Sequence, residues 1–147
     1  MIETKNQIAI SFRDIEHLMF FKNNVDRTGS ESDTYRKAFF YTVGILPLTR
    51  EHIDSLYDFE SNCPRLEAIA ETWQTDRTLQ LCRLALNLYN GFRHCGTLWD
   101  DLEPDMNGNF TPYELFETPD VFFMLEAIKV RYPTYTRCED AKITYIM

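Results

Sequence analysis

Apolar residues recur at helical steps along most of this chain, and the places where that rhythm breaks mark its elements. Positions 7–12 (Gln-Ile-Ala-Ile-Ser-Phe) are short and partly β-like. Beyond them Ile15, Leu18, Met19, Phe21 and Val25 fall on one side of a helix, with Arg13, Asp14, Glu16, His17, Lys22 and Asn23 on the other. Residues 28–34 form a loop by composition. A helix over 33–43 then aligns Tyr35, Phe39 and Val43, with Gly44 placed to end it in the left-handed conformation.

Pro47 breaks the chain, and Thr49 caps a helix whose apolar set is Ile53, Leu56, Tyr57 and Phe59. Pro64 opens a short helix through Thr72, since proline at a first helical position loses no needed hydrogen bond. Thr75-Asp76 starts the longest helix, running to about Phe92 and apolar over most of its circumference, which places it in the middle of a domain. Thr118-Pro119-Asp120 starts a last helix carrying Val121, Phe122, Leu125 and Ile128, and Pro133 ends it. Residues 142–147 alternate weakly as a strand would. Their partner in this reading is 7–11, because a lone strand leaves its backbone groups unsatisfied. The expectation is a mainly α protein, a compact bundle of about six helices around a central helix near 76–92, with a small two-stranded sheet from the termini. No repeat or linker divides it, so 1–147 reads as a single domain.

Composition sharpens this picture. At 44% hydrophobic and 14% aromatic the chain has ample core formers. Its net charge of −8 argues against direct binding of nucleic acid, where phosphate attraction supplies much of the affinity. No apolar run approaches the ~20 residues of a membrane helix, and the first residues lack the order of a signal peptide. Cys63, Cys82, Cys95 and Cys138 show no CxxC spacing, which fits reduced thiols and a cytoplasmic protein.

The charge is unevenly placed. Between His94 and Ile128 there is no lysine or arginine, yet Asp100, Asp101, Glu103, Asp105, Glu114, Glu117, Asp120 and Glu126 all fall there. Within this stretch Glu103, Asp105, Asn107 and Glu114, aligned on Gly108, match oxygen-donor positions of an EF-hand calcium loop. Glu103 replaces the usual first aspartate, Pro104 stiffens the entry, and no second such loop exists to pair with it. The same residues also read as a turn at Asn107-Gly108 followed by a capping box, Thr111-Pro-Tyr-Glu114. Calcium is the sole cofactor in view, and only by that loop.

A polar stripe on the long helix, Asp76, Gln80, Arg83, Asn87 and Asn90, admits two readings. Arg83, Asn87 and Asn90 form either a small-ligand or enzyme face or a hydrogen-bonding face toward neighbouring helices. His17, His52 and His94 are too scattered for a metal site by spacing, and HExxH, GxSxG, P-loop and GxGxxG patterns do not occur. No catalytic residue is nominated.

Several blocks resemble a known family. They are Asp33-x-Tyr35-x-Lys37-Ala38-Phe39-Phe40-Tyr41, Gly44-Ile45, and Thr49-Arg50-x-His52-Ile53-x-x-Leu56-Tyr57-Asp58-Phe59. Trp73-Gln74-Thr75, Arg83-Leu84-Ala85-x-Asn87-Leu88-x-Asn90-Gly91 and Thr111-Pro-Tyr-Glu-Leu-Phe116 follow, then Phe122-Phe123-x-x-x-Ala127-Ile128-x-x-Arg131-Tyr132-Pro133. Together, over about 33–133, they resemble an uncharacterised domain-of-unknown-function family of small proteins from Gram-positive bacteria and their mobile elements. The resemblance implies no established activity or cofactor. It does imply a context in which small acidic proteins act as stoichiometric binders of host proteins, nucleic-acid mimics among them.

The leading expectation is therefore a non-enzymatic interaction protein. Its acidic surface (Asp100, Asp101, Glu103, Asp105, Glu117, Asp120) would engage a basic protein surface, such as that of a nuclease or other nucleic-acid-binding protein. An anti-CRISPR-like or anti-restriction inhibitor is its sharpest form. Trp99, Phe110 and Tyr113 are candidate anchors.

Overall fold

The structure, a computed structural model, describes residues 7–95, 103–104 and 108–147, with side chains over 7–94 and 108–147. Three long helices are set by their own caps. Helix α1 (Ile15–Thr28) begins where the Asp14 carboxylate accepts the His17 amide at 2.8 Å, and it ends at Gly29 with φ of 63°. Helix α2 (Thr34–Val43) begins where Asp33 accepts the amides of Tyr35 and Arg36. Helix α5 (Asp76–Asn90) starts with a reciprocal capping box between Thr75 and Thr78 and stops at Gly91. Each cap satisfies amides that the first turn leaves without partners.

Between α2 and α5 lie α3 (Pro47–Glu51), α4 (Ile53–Leu56), an antiparallel pair β1 (Tyr57–Asp58) and β2 (Cys63–Pro64), and a 3-10 turn at Leu66–Ala70. After α5 come a second antiparallel pair, β3 (His94–Cys95) and β4 (Glu103–Pro104), then α6 (Pro112–Phe116) and α7 (Val121–Arg131). The protein is mainly helical, as its pattern predicts. Two local expectations fail. Thr49 is not a cap: Pro47 takes the first turn, and Thr49 is buried with its hydroxyl donating to the Val43 carbonyl at 2.5 Å. Pro64 belongs to β2 rather than to a helix start. That hairpin is held by Arg36, which donates to the Tyr57 hydroxyl at 2.9 Å and the Asn62 carbonyl at 2.6 Å.

Helices α2 and α5 pack together and separate two apolar clusters. On one side Phe39, Phe40 and Val43 of α2 meet Cys82, Ala85 and Leu86 of α5, with Leu56, Tyr57 and Leu66 closing the cluster. On the other, Ala38, Tyr41, Ile45 and Leu46 meet Leu81, Leu84 and Leu88, and α7 supplies Met124, Ala127 and Val130. The long helix is thus central, as expected, and α2 shares the position with it. A helix apolar on opposite sides has to be covered on both.

The expected terminal sheet does not form. Residues 7–12 do alternate, with Ile8, Ile10 and Phe12 half-buried and Gln7, Ala9 and Ser11 exposed, but among the described residues no strand pairs with them. Side chains hold the segment instead. The Ser11 amide donates to the Glu126 carboxylate at 2.6 Å, and the Ser11 carbonyl accepts the Tyr41 hydroxyl at 2.6 Å. Residues 142–147 are fully exposed and carry no strand.

The inward face of α1 also differs from the expected one. Ile15 and Met19 point to solvent, while His17 is completely buried. His17 lies among Tyr41, Phe12 and Phe123, with ring centroids at 4.6, 5.0 and 6.4 Å. Its Nδ1 accepts the Arg13 amide at 3.1 Å, leaving Nε2 to donate to the Tyr41 carbonyl at 2.8 Å, which assigns the neutral tautomer. Two satisfied nitrogens make burial affordable where the periodic pattern expected a surface side chain.

Gly44 is right-handed, with φ of −77°, so it is not the left-handed terminator its position suggests. Its glycine is needed for space. A Cβ there would stand 2.8 Å from both His17 Cδ2 and Phe20 Cδ1. Gly44→Ala should cost about 1–3 kcal/mol by overpacking this α1–α2 contact. Denaturant unfolding measures it, and wild-type stability would show that the contact yields freely.

Burial pushes the His17 imidazole down from its ordinary 6.5 to about 4, against the opposing pull of the Tyr41 carbonyl. A depressed folded value means the contribution is complete above the unfolded value and is lost as pH falls toward 4. The expected loss is about 2 kcal/mol between roughly pH 7 and pH 5. Urea titrations at both pH values should show it in the wild type, and His17→Gln should flatten that part of the slope.

Candidate functional site

The acidic stretch is built around one carboxylate that faces inward. Asp120, expected on the acidic surface, has no solvent exposure. It stands at the start of α7 and accepts Arg77 of α5 in a two-pronged pair, Nε to Oδ2 and Nη2 to Oδ1 at 2.6 Å each. Arg13 adds a third bond to Oδ1 at 2.9 Å. Burial alone raises the carboxyl's pKa, and the hydrogen bonds from Arg77 and Arg13 more than reverse it, so it sits below the usual carboxylate range. A lone buried charge would be costly, and two guanidiniums remove that cost. Asp120 is therefore a joint between the N-terminal segment, α5 and α7, not part of a binding face.

Glu126 is internal as well. It takes the Ser11 amide and pairs with Lys129 at 2.8 Å. By contrast Glu114 and Glu117, on and just after α6, are exposed and have no ion-pair partner among the described residues. Asp100, Asp101, Asp105 and Asn107 lie outside the described residues, as does Trp99. Glu103 falls in β4, with its side chain outside the description. Apart from the backbone of Glu103, the calcium-loop set is thus described only at Gly108, with φ of 74°, and at Glu114. The capping box over 111–114 is absent: Thr111 donates to the Gly108 carbonyl at 2.9 Å and makes no side-chain cap. Pro112 at the first turn already lacks one of the amides a cap would serve. Of the candidate anchors, Tyr113 is exposed, whereas Phe110 packs edge-on against Phe92 at 5.8 Å.

Three residues of the polar stripe of α5 make bonds within the fold. Gln80 donates to the carbonyls of Glu114 and Glu117 at 3.0 and 3.3 Å, fixing α6 on α5. Asn87 donates to the Phe92 carbonyl and Asn90 accepts the Phe92 amide, which together close the helix end. Arg83 is half-buried, with no hydrogen bond or ion pair to a described residue. His52 stacks on Trp73 at 4.2 Å, far in role from buried His17. Among the described residues no group of three His, Cys, Asp or Glu side chains is placed to hold a metal. The Cys82 thiol is buried in the core and pushed up to about 12 by that burial, so it is protonated and unreactive.

Sequence reasoning missed where the cations go. Arg36 is bound to Asp33, Tyr57 and the Asn62 carbonyl, and Arg50 to the Gly44 carbonyl at 2.6 Å. Arg131 donates to the Leu88 carbonyl and lies 3.8 Å from the Tyr35 ring, and Arg27 lies 3.6 Å from that of Phe59. Together with Arg13, Arg77 and Lys129, these groups are turned onto the molecule itself. Meanwhile Glu16, Asp26, Glu51, Asp54, Glu60 and Asp76 are exposed without ion pairs among the described residues. Only the i,i+3 pairs Arg36–Asp33 and Lys129–Glu126 have a local signal; the other acceptors lie on another element or on a backbone carbonyl.

A model of a family of unknown function (DUF6075) matches residues 7–144. No curated protein and no solved structure matches the chain.

Asp120→Ala should destabilise the protein by about 2–3 kcal/mol, since it frees two guanidiniums and uncouples three segments. Glu117→Ala, on an exposed carboxylate, should stay within about 0.5 kcal/mol. Equal effects in chemical denaturation would contradict the division between internal and outward carboxylates.

Proposed function

We propose, on the premise that this chain belongs to the family of unknown function DUF6075, that it is a non-enzymatic interaction protein whose outward carboxylates engage a basic surface on a protein partner. The supporting observation is the unequal use of charge. The arginines are largely engaged within the molecule, while the 94–128 stretch keeps Glu114 and Glu117 outward and contains Asp100, Asp101, Glu103 and Asp105 with no lysine or arginine among them. Such a field steers a cationic surface into contact and repels nucleic acid itself. The sharpest form of the proposal is a stoichiometric inhibitor, anti-CRISPR-like or anti-restriction, that covers a groove lined by Lys and Arg.

A cytoplasmic setting accords with this reading. Cys63, Cys82 and Cys138 are free thiols, and among the described residues no helix is long and apolar enough to cross a membrane. The test is capture from host lysate by the wild type and by an Asp100→Asn, Asp101→Asn, Asp105→Asn variant. The wild type should retain a basic protein at roughly 0.1 M salt and release it near 1 M, where screening is nearly complete. The variant should bind it at least about tenfold more weakly, a loss of about 1.4 kcal/mol. Unchanged retention by the variant would overturn the proposal.

A further inference from the structure

Independently of the acidic face, the N-terminal segment borders a largely apolar groove of about 360 Å³, lined by Ile8, Ile10, Phe21, Val130 and Pro133 together with the polar Thr34 and Lys37. Ser11 uses its backbone groups on Glu126 and Tyr41. The amides and carbonyls of residues 7–10 have no hydrogen-bond partner among the described residues. The segment thus alternates in burial as a strand does and leaves its backbone groups open, and open strand edges accept added strands.

The chain also contains a segment of matching character. Residues 142–147 are exposed throughout, Ile143 at 88% and Tyr145 at 84%. In an extended conformation Ile143, Tyr145 and Met147 share one face and Lys142, Thr144 and Ile146 the other. Laid beside 7–10, the first face would meet Ile8 and Ile10 over the groove, and Thr144 would stand with Gln7 and Ala9 outside. The segment does not reach the groove of its own molecule. After Pro133 the chain is held in a turn by Thr136, whose amide and hydroxyl both donate to the Tyr132 carbonyl at 3.1 and 2.7 Å.

We propose that the groove receives residues 142–147 of a second copy, which adds as a β-strand to residues 7–10, and that two copies exchange these segments reciprocally. Two equal junctions related by a twofold axis make a closed dimer. Charge favours this place for self-contact. Residues 7–12 bear no charged side chain, the groove lining adds only Lys37 and 142–147 only Lys142, so the junction brings no side-chain carboxylates together in a chain of net charge −8.

Sedimentation equilibrium over a range of concentrations, with amide exchange read at residues 8–10, tests the assignment. The wild type should reach twice the mass of one chain and protect the amides of Ile8 and Ile10, which point away from the edge that Ser11 uses on Glu126 and Tyr41, while leaving Ala9 unprotected. A variant with Ile143→Ser and Tyr145→Ser, at positions exposed in the single chain, should keep its helical circular dichroism yet sediment as a monomer and lose that protection. Ile8→Ser should weaken the dimer at least tenfold from the groove side. A wild type that stays monomeric overturns the proposal, whether or not its amides are protected, because protection in a monomer would mean the segment folds back on its own chain. A double variant that remains dimeric overturns it equally.

Discussion

The run 38–46 has no face to water, and that constraint organises everything around it. A helix buried along its whole second half has to be covered on every side, so α1, α5 and α7 each pack against α2. Its polar groups have to be satisfied within the molecule as well. Thr42 donates to the Ala38 carbonyl, the Tyr41 hydroxyl reaches the Ser11 carbonyl, and the Tyr41 carbonyl receives His17. Through these bonds the buried helix determines where the N-terminal segment lies and which face α1 turns inward. Gly44 belongs to the same constraint, because the rings of His17 and Phe20 pass where a side chain would begin.

Charge follows from this packing. Short elements and an extended segment have few backbone ladders, so side chains take over the work of fastening them. Arginine suits that task, with several donors in a rigid fork and a planar face that lies against aromatic rings. Arg36 fastens the hairpin, Arg50 the turn after α2, and Arg131 joins α7 to α5. An acidic exterior is partly the residue of this arrangement, since a cation held on an internal carbonyl no longer offsets a carboxylate at the surface.

What the sequence made legible was the helical layout and those ends that a nearby residue decides, although the local signals at Gly44, Thr49, Pro64 and 111–114 pointed the wrong way. The ends of α5 could be read because Thr75, Thr78 and Gly91 act within a turn of their own positions. The alternation over 7–12 was also real, as its burial shows. Its partners were not legible, since Glu126 lies 115 positions from Ser11 and a side chain took the place of a strand. His17 and Asp120 were misplaced for a related reason. Both are polar types that periodicity assigns to the surface, and both are buried because distant groups complete their hydrogen bonds. The acidic run itself was visible as composition, but the division between carboxylates that hold the fold and those that face outward depends on where Arg13, Arg77 and Lys129 end up.

The Asp120 joint has a consequence for how the molecule opens. Arg13 precedes α1, Arg77 lies in the first turn of α5, and Asp120 precedes α7. Fraying at any one of these places exposes a charge that the other two then lack. Local breathing is thereby coupled over segments far apart in the chain, and three helix starts that would ordinarily loosen one at a time become a single cooperative unit.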